Sequence, residues 1–274
     1  MIPIFEPFIS SVGKKNVLKA LDSNWISSQG PFIKKFESEL AKFHSSKYCL
    51  VTSSCTSALH LSLLALGLKK GDEVMCPALT FIAPANMVLL SNLNLKLVDI
   101  DPNSLTVDPE QLKKTITKKT KAIIIVHQFG HSARMDEIME LCKKNKILVI
   151  EDNAESLGGM FKGKLLGTFG NLTTLSFFAN KVLTTGEGGA IITNSKKYFE
   201  ACLEMRDHGM SLKKKYFHTR LGFNYRMTNL QAAIGLSQIQ DFKNITKIRN
   251  EQLKLYYSKL KDFNNFIELR KFEK

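Results

Sequence analysis

The chain has 274 residues, 44% hydrophobic and 23% charged, enough to bury the core of one large domain or two small ones. No apolar run approaches the roughly 20 residues that cross a bilayer. The opening MIPIFEPF has neither a basic start nor a long apolar stretch, so no secretory leader is expected. The net charge of +14, from 39 Lys and Arg against 25 Asp and Glu, favours anionic partners. Its lysine runs at 113–121 and 213–215 lack interleaved aromatics and read as solvated faces, which argues against nucleic acid and leaves a phosphate-bearing small molecule as the better use. The five cysteines, Cys49, Cys55, Cys76, Cys142 and Cys202, form no CxxC pair and are odd in number. That fits a reducing cytoplasm without a disulfide framework or a zinc site.

In chain order, 32–43 (FIKKFESELAKF) places Phe32, Phe36, Leu40 and Phe43 at helical spacing. Strands are expected at 48–54, at EVMCPAL, at LKLVDID, over 122–130 (AIIIVHQFG), at 147–152 (ILVIED), and at TTLSFF and GAIITN; helices are expected at 57–68, FIAPANMVLLSN, RMDEIMELCKKN and from about 230 onward. The runs AIIIV and ILVI are continuously apolar and β-branched, as strands buried on both faces of a parallel sheet are. Strand–helix alternation therefore predicts an α/β sandwich, with a ligand beyond the carboxyl ends of the strands.

The polar residues at those ends carry the chemistry. TSSCTSALH (52–60) joins a strand to a helix and can hold an anion on free N–H groups, or can simply be capped by Ser54 or Thr56. Asp152 ends ILVIED, with Glu155 one turn later; a carboxylate there can bind metal, act as a base, cap a helix or hold a cationic ring nitrogen. His127 ends another strand, where a lone histidine is more often structural, and no third ligand is spaced for a metal. Lys181 follows TTLSFF, where desolvation would make its amine a competent nucleophile toward carbonyls. The glycines of SFFANKVLTTGEGG read as a flexible turn giving the backbone room between Lys181 and GAIITN. A phosphate cup, a strand-end aspartate and a lysine amine are together what pyridoxal 5′-phosphate requires.

Taken in order, NWISSQGPFIKKFE, SSCTSALHLSLLALGL, GDEVMCPALTFIAPANMV, VHQFGH, VIEDNAES, SFFANKVLTTGEGGAI, RDHGMS and LGFNYRMTNLQAAIG resemble the DegT/DnrJ/EryC1/StrS family of sugar aminotransferases, over about residues 3–260. The resemblance implies the aspartate-aminotransferase-like large domain (fold type I), a mostly parallel sheet between helices. It implies pyridoxal phosphate held through Lys181, with Asp152 on the ring nitrogen and Glu155 at the ring hydroxyl. Phe81 would stack on the ring, its alternative being core packing shared with Leu79. Cys55, Thr56 and Ser176 would bind the phosphate, and Asn224 would reach into the neighbouring subunit's phosphate site, making a homodimer with shared active sites. Cys55 stands where the family usually has glycine. Residues 1–240 would form the cofactor-binding domain with an N-terminal arm. Residues 241–274 would begin a smaller helical domain that family members continue further, which raises a truncated, non-catalytic protein or half of a split enzyme as the alternative. The implied activity is transfer of an amino group, from L-glutamate, to a nucleotide-linked keto sugar such as a 4-keto-6-deoxyhexose for surface polysaccharide, O-antigen or lipopolysaccharide, with no nucleic acid or membrane partner. A sugar dehydratase of the same fold carries histidine in place of the lysine, so Lys181 argues for amino transfer.

Overall fold

The computed structural model describes residues 5–263. Seven strands form its main sheet: β1 (Tyr48–Thr52), β2 (Glu73–Pro77), β3 (Asn94–Val98), β4 (Thr120–Val126), β5 (Leu148–Asp152), β8 (Leu172–Ser176) and β9 (Gly189–Thr193). A two-residue hairpin, β6 (Met160–Phe161) and β7 (Lys164–Leu165), lies between β5 and β8. The sheet order is β1-β9-β8-β5-β4-β2-β3. All neighbouring pairs are parallel except those made by β9, which runs against both β1 and β8. Six strands thus point the same way and deliver their carboxyl ends to one edge, with Gly189 starting β9 at that edge.

Strand alternation sends side chains to opposite faces, and β4 uses both. Ala122, Ile124 and Val126 join the core under α3 (Cys55–Ala65), α4 (Ala83–Leu90) and α7 (Lys196–Arg206). Ile123 and Ile125 join the core under α5 (Pro109–Thr115) and α6 (Met135–Asn145). A third cluster packs α2 (Pro31–Phe43) and α8 (Asn229–Gln240) over β1, β8 and β9, with Phe36 and Phe177 in contact at 5.2 Å between ring centres. The sandwich is the one expected, and the β4 and β5 interiors are buried on both sides.

Some elements differ from the sequence expectation. The strand expected over 122–130 begins earlier, at Thr120, and ends at Val126; a 3-10 turn follows at Gln128–Gly130, where Phe129 takes φ 54°. Helix α1 (Ser11–Asp22) was not predicted: its apolar positions are diluted by lysines, and its start is fixed by Ser10 accepting from the Gly13 N–H. α5, α7 and the β6–β7 hairpin are too short or too polar to announce themselves in the same way. Helix α9 (Phe242–Leu260) follows α8 almost without interruption; the rest of the segment expected to open a second domain, 264–274, lies outside the described residues. The lysines of 113–121 and 213–215 are exposed, as solvated faces should be. All five cysteines are free thiols. Among the described residues no helix is long and apolar enough to cross a membrane.

Candidate active site

A cavity of about 390 Å³ opens at the carboxyl edge of the sheet. Ser54, Cys55 and Thr56 form one wall, Thr80 and Phe81 another, and Asp152, Ala154, Glu155, Ser176 and Lys181 the rest. Seven of the eight predicted site residues therefore meet in one place: Cys55, Thr56, Phe81, Asp152, Glu155, Ser176 and Lys181. Asn224 does not; it is exposed in the stretch leading to α8, bridged to Asp207 and accepting from the Arg226 side chain at 3.0 Å.

The turn after β1 is capped by one residue and leaves the N–H groups of the next two without acceptors among the described residues. Ser54 caps α3: its Oγ accepts from Ser57 N–H (3.1 Å), and Ser57 Oγ accepts from Ser54 N–H (3.1 Å). The Cys55 and Thr56 N–H groups, in the first turn and without intrahelical acceptors, have none among the described residues and line the cavity. They are available to an anion, aided by the helix dipole. The turn is seated by Gly189: a Cβ there would lie 2.5 Å from the Ser54 carbonyl and 2.6 Å from the Cys55 nitrogen. So the glycines after Lys181 serve a different end from the flexible turn expected. Gly186 adopts φ 83°, which suits glycine, and the loop is tied down by Thr185 Oγ1 donating to Glu187 O (2.7 Å) and Gly186 N–H to Thr184 Oγ1 (3.0 Å).

Asp152 ends β5 and is 5% exposed. Burial pushes its carboxyl up to about 6, and Ala154 N–H and Lys181 pull the other way. Oδ1 accepts from Ala154 N–H (3.1 Å) and from the Cys55 thiol (3.9 Å); Oδ2 accepts nothing from the described residues. Burial raises the Cys55 thiol well above its usual range, with Asp152 adding to the effect, so it is a neutral donor here. Lys181 donates to Glu155 Oε1 (3.2 Å) while Glu155 Oε2 accepts from Phe129 N–H (2.9 Å). The left-handed Phe129 is the backbone kink that brings that N–H to the carboxylate, at a cost of about 1–3 kcal/mol of local strain. The backbone of Lys181 is held by its N–H to Phe178 O (3.0 Å) and by Arg249 of α9 donating to its carbonyl (3.3 Å).

Behind this front, His127 is structural. Its ring is fully buried, with Nδ1 accepting from Ala133 N–H (3.3 Å) and Nε2–H donating to Glu151 (3.2 Å). Glu151 also accepts from the N–H groups of Gly167 (2.8 Å), Phe169 (2.7 Å) and Gly170 (2.5 Å). Burial pushes its carboxyl up, but His127 and those N–H groups outweigh it and leave the value lowered.

These groups fit pyridoxal phosphate. Free helix N–H groups and the Ser176 hydroxyl suit its phosphate, the unengaged Asp152 Oδ2 suits a protonated ring nitrogen, and the Phe81 ring, 72% exposed at the cavity wall, offers a flat apolar face. Thr80 Oγ1 is buried at this wall without a partner among the described residues, as expected where a ligand completes the bonding. The sequence reading missed Thr80, Gln128, Asn180 and Glu187, all in the lining. Gln128 and Asn180 adjoin His127 and Lys181 and were within reach of the strand-end rule; Thr80 and Glu187 carry no local signal.

The family model of DegT/DnrJ/EryC1/StrS aminotransferases matches residues 8–274. The chain belongs to this family. Its members are pyridoxal-phosphate-dependent enzymes, and the fold is that of fold-type-I aminotransferases. A GDP-perosamine synthase of Escherichia coli is 41% identical over 273 residues, covering 100% of this chain and 74% of the relative. Among solved structures, the Helicobacter pylori aminotransferase involved in pseudoaminic acid biosynthesis superposes with a TM-score of 0.88 at 34% identity, covering 94% of this chain and 70% of that one. An Escherichia coli GDP-4-keto-6-deoxy-D-mannose-3-dehydratase with bound hydrated pyridoxal phosphate gives 0.90 at 31% identity, covering 96% and 73%. As a member of the DegT/DnrJ/EryC1/StrS family, the chain is a pyridoxal-phosphate-dependent aminotransferase, and the group that its cavity fits is the family's cofactor.

Proposed function

We propose that this aminotransferase moves an amino group from L-glutamate to a nucleotide-linked keto sugar, a 4-keto-6-deoxyhexose, for surface polysaccharide of the O-antigen kind, in the cytoplasm. The observation that carries it is the Lys181 amine at the wall of a cavity that also holds a buried strand-end aspartate and a free helix N-terminus. When bound, pyridoxal phosphate supplies an electron sink that stabilises negative charge at a carbon next to nitrogen. The chain supplies the rest. The Cys55 and Thr56 N–H groups, with the Thr56 and Ser176 hydroxyls, hold the phosphate. Asp152 keeps the ring nitrogen protonated, Phe81 covers one ring face and Glu155 sits at the ring hydroxyl. Lys181 Nζ would be the group that holds the cofactor's aldehyde carbon. Free of that role, the Lys181 amine would act as the base that takes the proton from the donor α-carbon and as the acid that gives it back. Glu155 keeps the amine within reach during this transfer. The net change would be glutamate and keto sugar to 2-oxoglutarate and amino sugar, with Lys181 as the proton-moving group in both directions.

The dehydratase among the structural neighbours favours a second reading, loss of water from the same class of sugar. Lys181 argues against it, because dehydratases of this fold are expected to carry histidine there. Support for a shared site in a homodimer comes from Asn224, which is exposed and outside its own chain's cavity. The test is to add L-glutamate to the pyridoxal-phosphate-loaded protein and then GDP-4-keto-6-deoxymannose. The cofactor's visible absorbance should fall with glutamate and recover with the sugar, yielding an amino sugar. A band that glutamate leaves unchanged would support the non-catalytic reading, and a deoxy sugar lacking nitrogen would support dehydration.

A further inference from the structure

Three lysine-bearing segments that lie far apart in the chain meet at the amino edge of the sheet. Lys69 and Lys70 precede β2, Lys118 and Lys119 precede β4, and Lys144 and Lys146 precede β5; all six are exposed. The order β5-β4-β2 makes these strands neighbours, with Glu73 level with Thr120 and Ala122 level with Leu148. The segments before them therefore lie side by side at the strand spacing of about 5 Å. The Glu73 N–H donates to Lys119 O at 2.9 Å and ties two of the segments directly. Taken one run at a time along the sequence, these lysines are solvated faces that call for no partner; the fold sums them into one field. Only Lys144 lies in the last turn of a helix, where it also complements the dipole. Asp72 and Glu73, the carboxylates between them, are engaged: Asp72 Oδ2 accepts from Lys69 N–H (2.8 Å), and Glu73 Oε1 accepts from Thr120 Oγ1 (2.6 Å) and pairs with Lys96 at 3.8 Å. Glu140 stands a turn back on α6, exposed. No ion pair holds any of the six lysines among the described residues.

The cofactor cavity opens at the carboxyl edge. Strands β2, β4 and β5, of 5, 7 and 5 residues, put the two edges roughly 20 Å apart at about 3.3 Å per residue. We propose that the lysine edge is a docking surface for an anionic lipid bilayer, held by phospholipid headgroups. The chemistry favours a bilayer over a nucleic acid. The segments 69–72, 116–121 and 143–147 contain no arginine to fork onto a phosphate or base and no aromatic to stack. They expose no large apolar side chain that could insert, so the attraction is electrostatic, reversible and sensitive to salt. Lysines spread across three strands offer a broad face to headgroups, and each one near the surface strengthens binding about fivefold. Docking by this edge leaves the cavity facing solvent, open to soluble substrates.

The experiment sediments the full chain, loaded with pyridoxal phosphate, with vesicles of phosphatidylcholine alone or of equal parts phosphatidylcholine and phosphatidylglycerol. Wild type should bind the anionic vesicles at about 0.1 M salt, bind the neutral ones at least about tenfold more weakly, and lose most of its binding at about 0.5 M salt. The triple variant Lys70→Glu, Lys118→Glu, Lys119→Glu should bind the anionic vesicles about a hundredfold more weakly or worse. Single reversals, about fivefold each or more, carry the test if the triple variant melts below wild type. The control Lys213→Glu, Lys214→Glu, Lys215→Glu makes the same charge change in the segment leading to Tyr225, whose carbonyl accepts from Ser53 N–H beyond the carboxyl end of β1. It should stay within about threefold of wild type, because charges beyond a screening length count little. An equal loss in the control would show a response to net charge alone and overturn the proposal. Anionic-vesicle binding that survives the edge reversals, or no vesicle binding by wild type, would overturn it as well. Retention on double-stranded DNA without binding to vesicles would overturn it and give the edge to nucleic acid.

Discussion

Replacing Asp152 with asparagine should make the cofactor-free protein more stable at neutral and alkaline pH while weakening its hold on the cofactor. Burial, the largest influence, raises the carboxyl from the usual 3.8 to about 6. A group raised on folding stabilises the native state fully below its unfolded value, and that contribution is lost as pH rises through the folded value. The rise corresponds to about 3 kcal/mol at 1.36 kcal/mol per pH unit, and the loss falls between about pH 4 and 6 for this side chain. Asparagine has the same shape, keeps an acceptor for Ala154 N–H and does not titrate. Urea unfolding of cofactor-free wild type and Asp152→Asn at pH 4 and pH 8 isolates the effect. The variant should gain about 2.5 kcal/mol relative to wild type between the two. A difference between the proteins that stays constant with pH, or moves the other way, would refute the picture of a desolvated carboxylate waiting for a cationic partner. With the cofactor present the order should invert, because asparagine cannot hold a protonated ring nitrogen. Such a reversal is the expected signature of a site kept functional at the expense of stability.

Other substitutions separate the parts of the site. Gly189→Ala drives a methyl into the Ser54–Cys55 backbone; it should cost about 1–3 kcal/mol in unfolding experiments and weaken cofactor binding measured by fluorescence quenching. Phe81→Ala removes a side chain 72% exposed, so thermal unfolding without cofactor should shift by no more than about 0.5 kcal/mol, while the cofactor dissociation constant should rise roughly twofold to tenfold. Glu151→Gln puts an amide among one histidine and three backbone donors; a loss of about 3 kcal/mol is expected in thermal melts near neutral pH. Because the Glu151 carboxyl is lowered, its contribution is fully present above the usual carboxylate range, and the gap between wild type and Glu151→Gln should narrow as pH falls below that range through the lowered value.

The buried strands were legible because β-branched apolar runs have few alternatives, and the site was legible because polar residues at parallel strand ends have one edge to go to. Asp152, Ser176 and the turn at 54–56 are placed by that rule alone. What stayed hidden depended on contacts between distant segments. Gly189 looks like a turn glycine until the Ser54–Cys55 backbone, more than a hundred positions away, is laid against it. Thr80 shows its role only through an unpaired hydroxyl at the cavity wall. Arg249 is one cation among many along the chain, and its place beside the Lys181 carbonyl depends on where α9 packs. The strand expected to run through 130 stops at Val126 because Phe129 turns left-handed to meet Glu155, a contact 26 positions apart that no local preference encodes.

Lys181 is the residue proposed to carry the cofactor. Loading the protein with pyridoxal phosphate, reducing it with borohydride and mapping the label by peptide mass spectrometry tests this directly. A single stoichiometric label is expected on the peptide containing Lys181, absent from Lys181→Ala and from wild type treated with L-glutamate before reduction. A label on another lysine, or none at all, would contradict it.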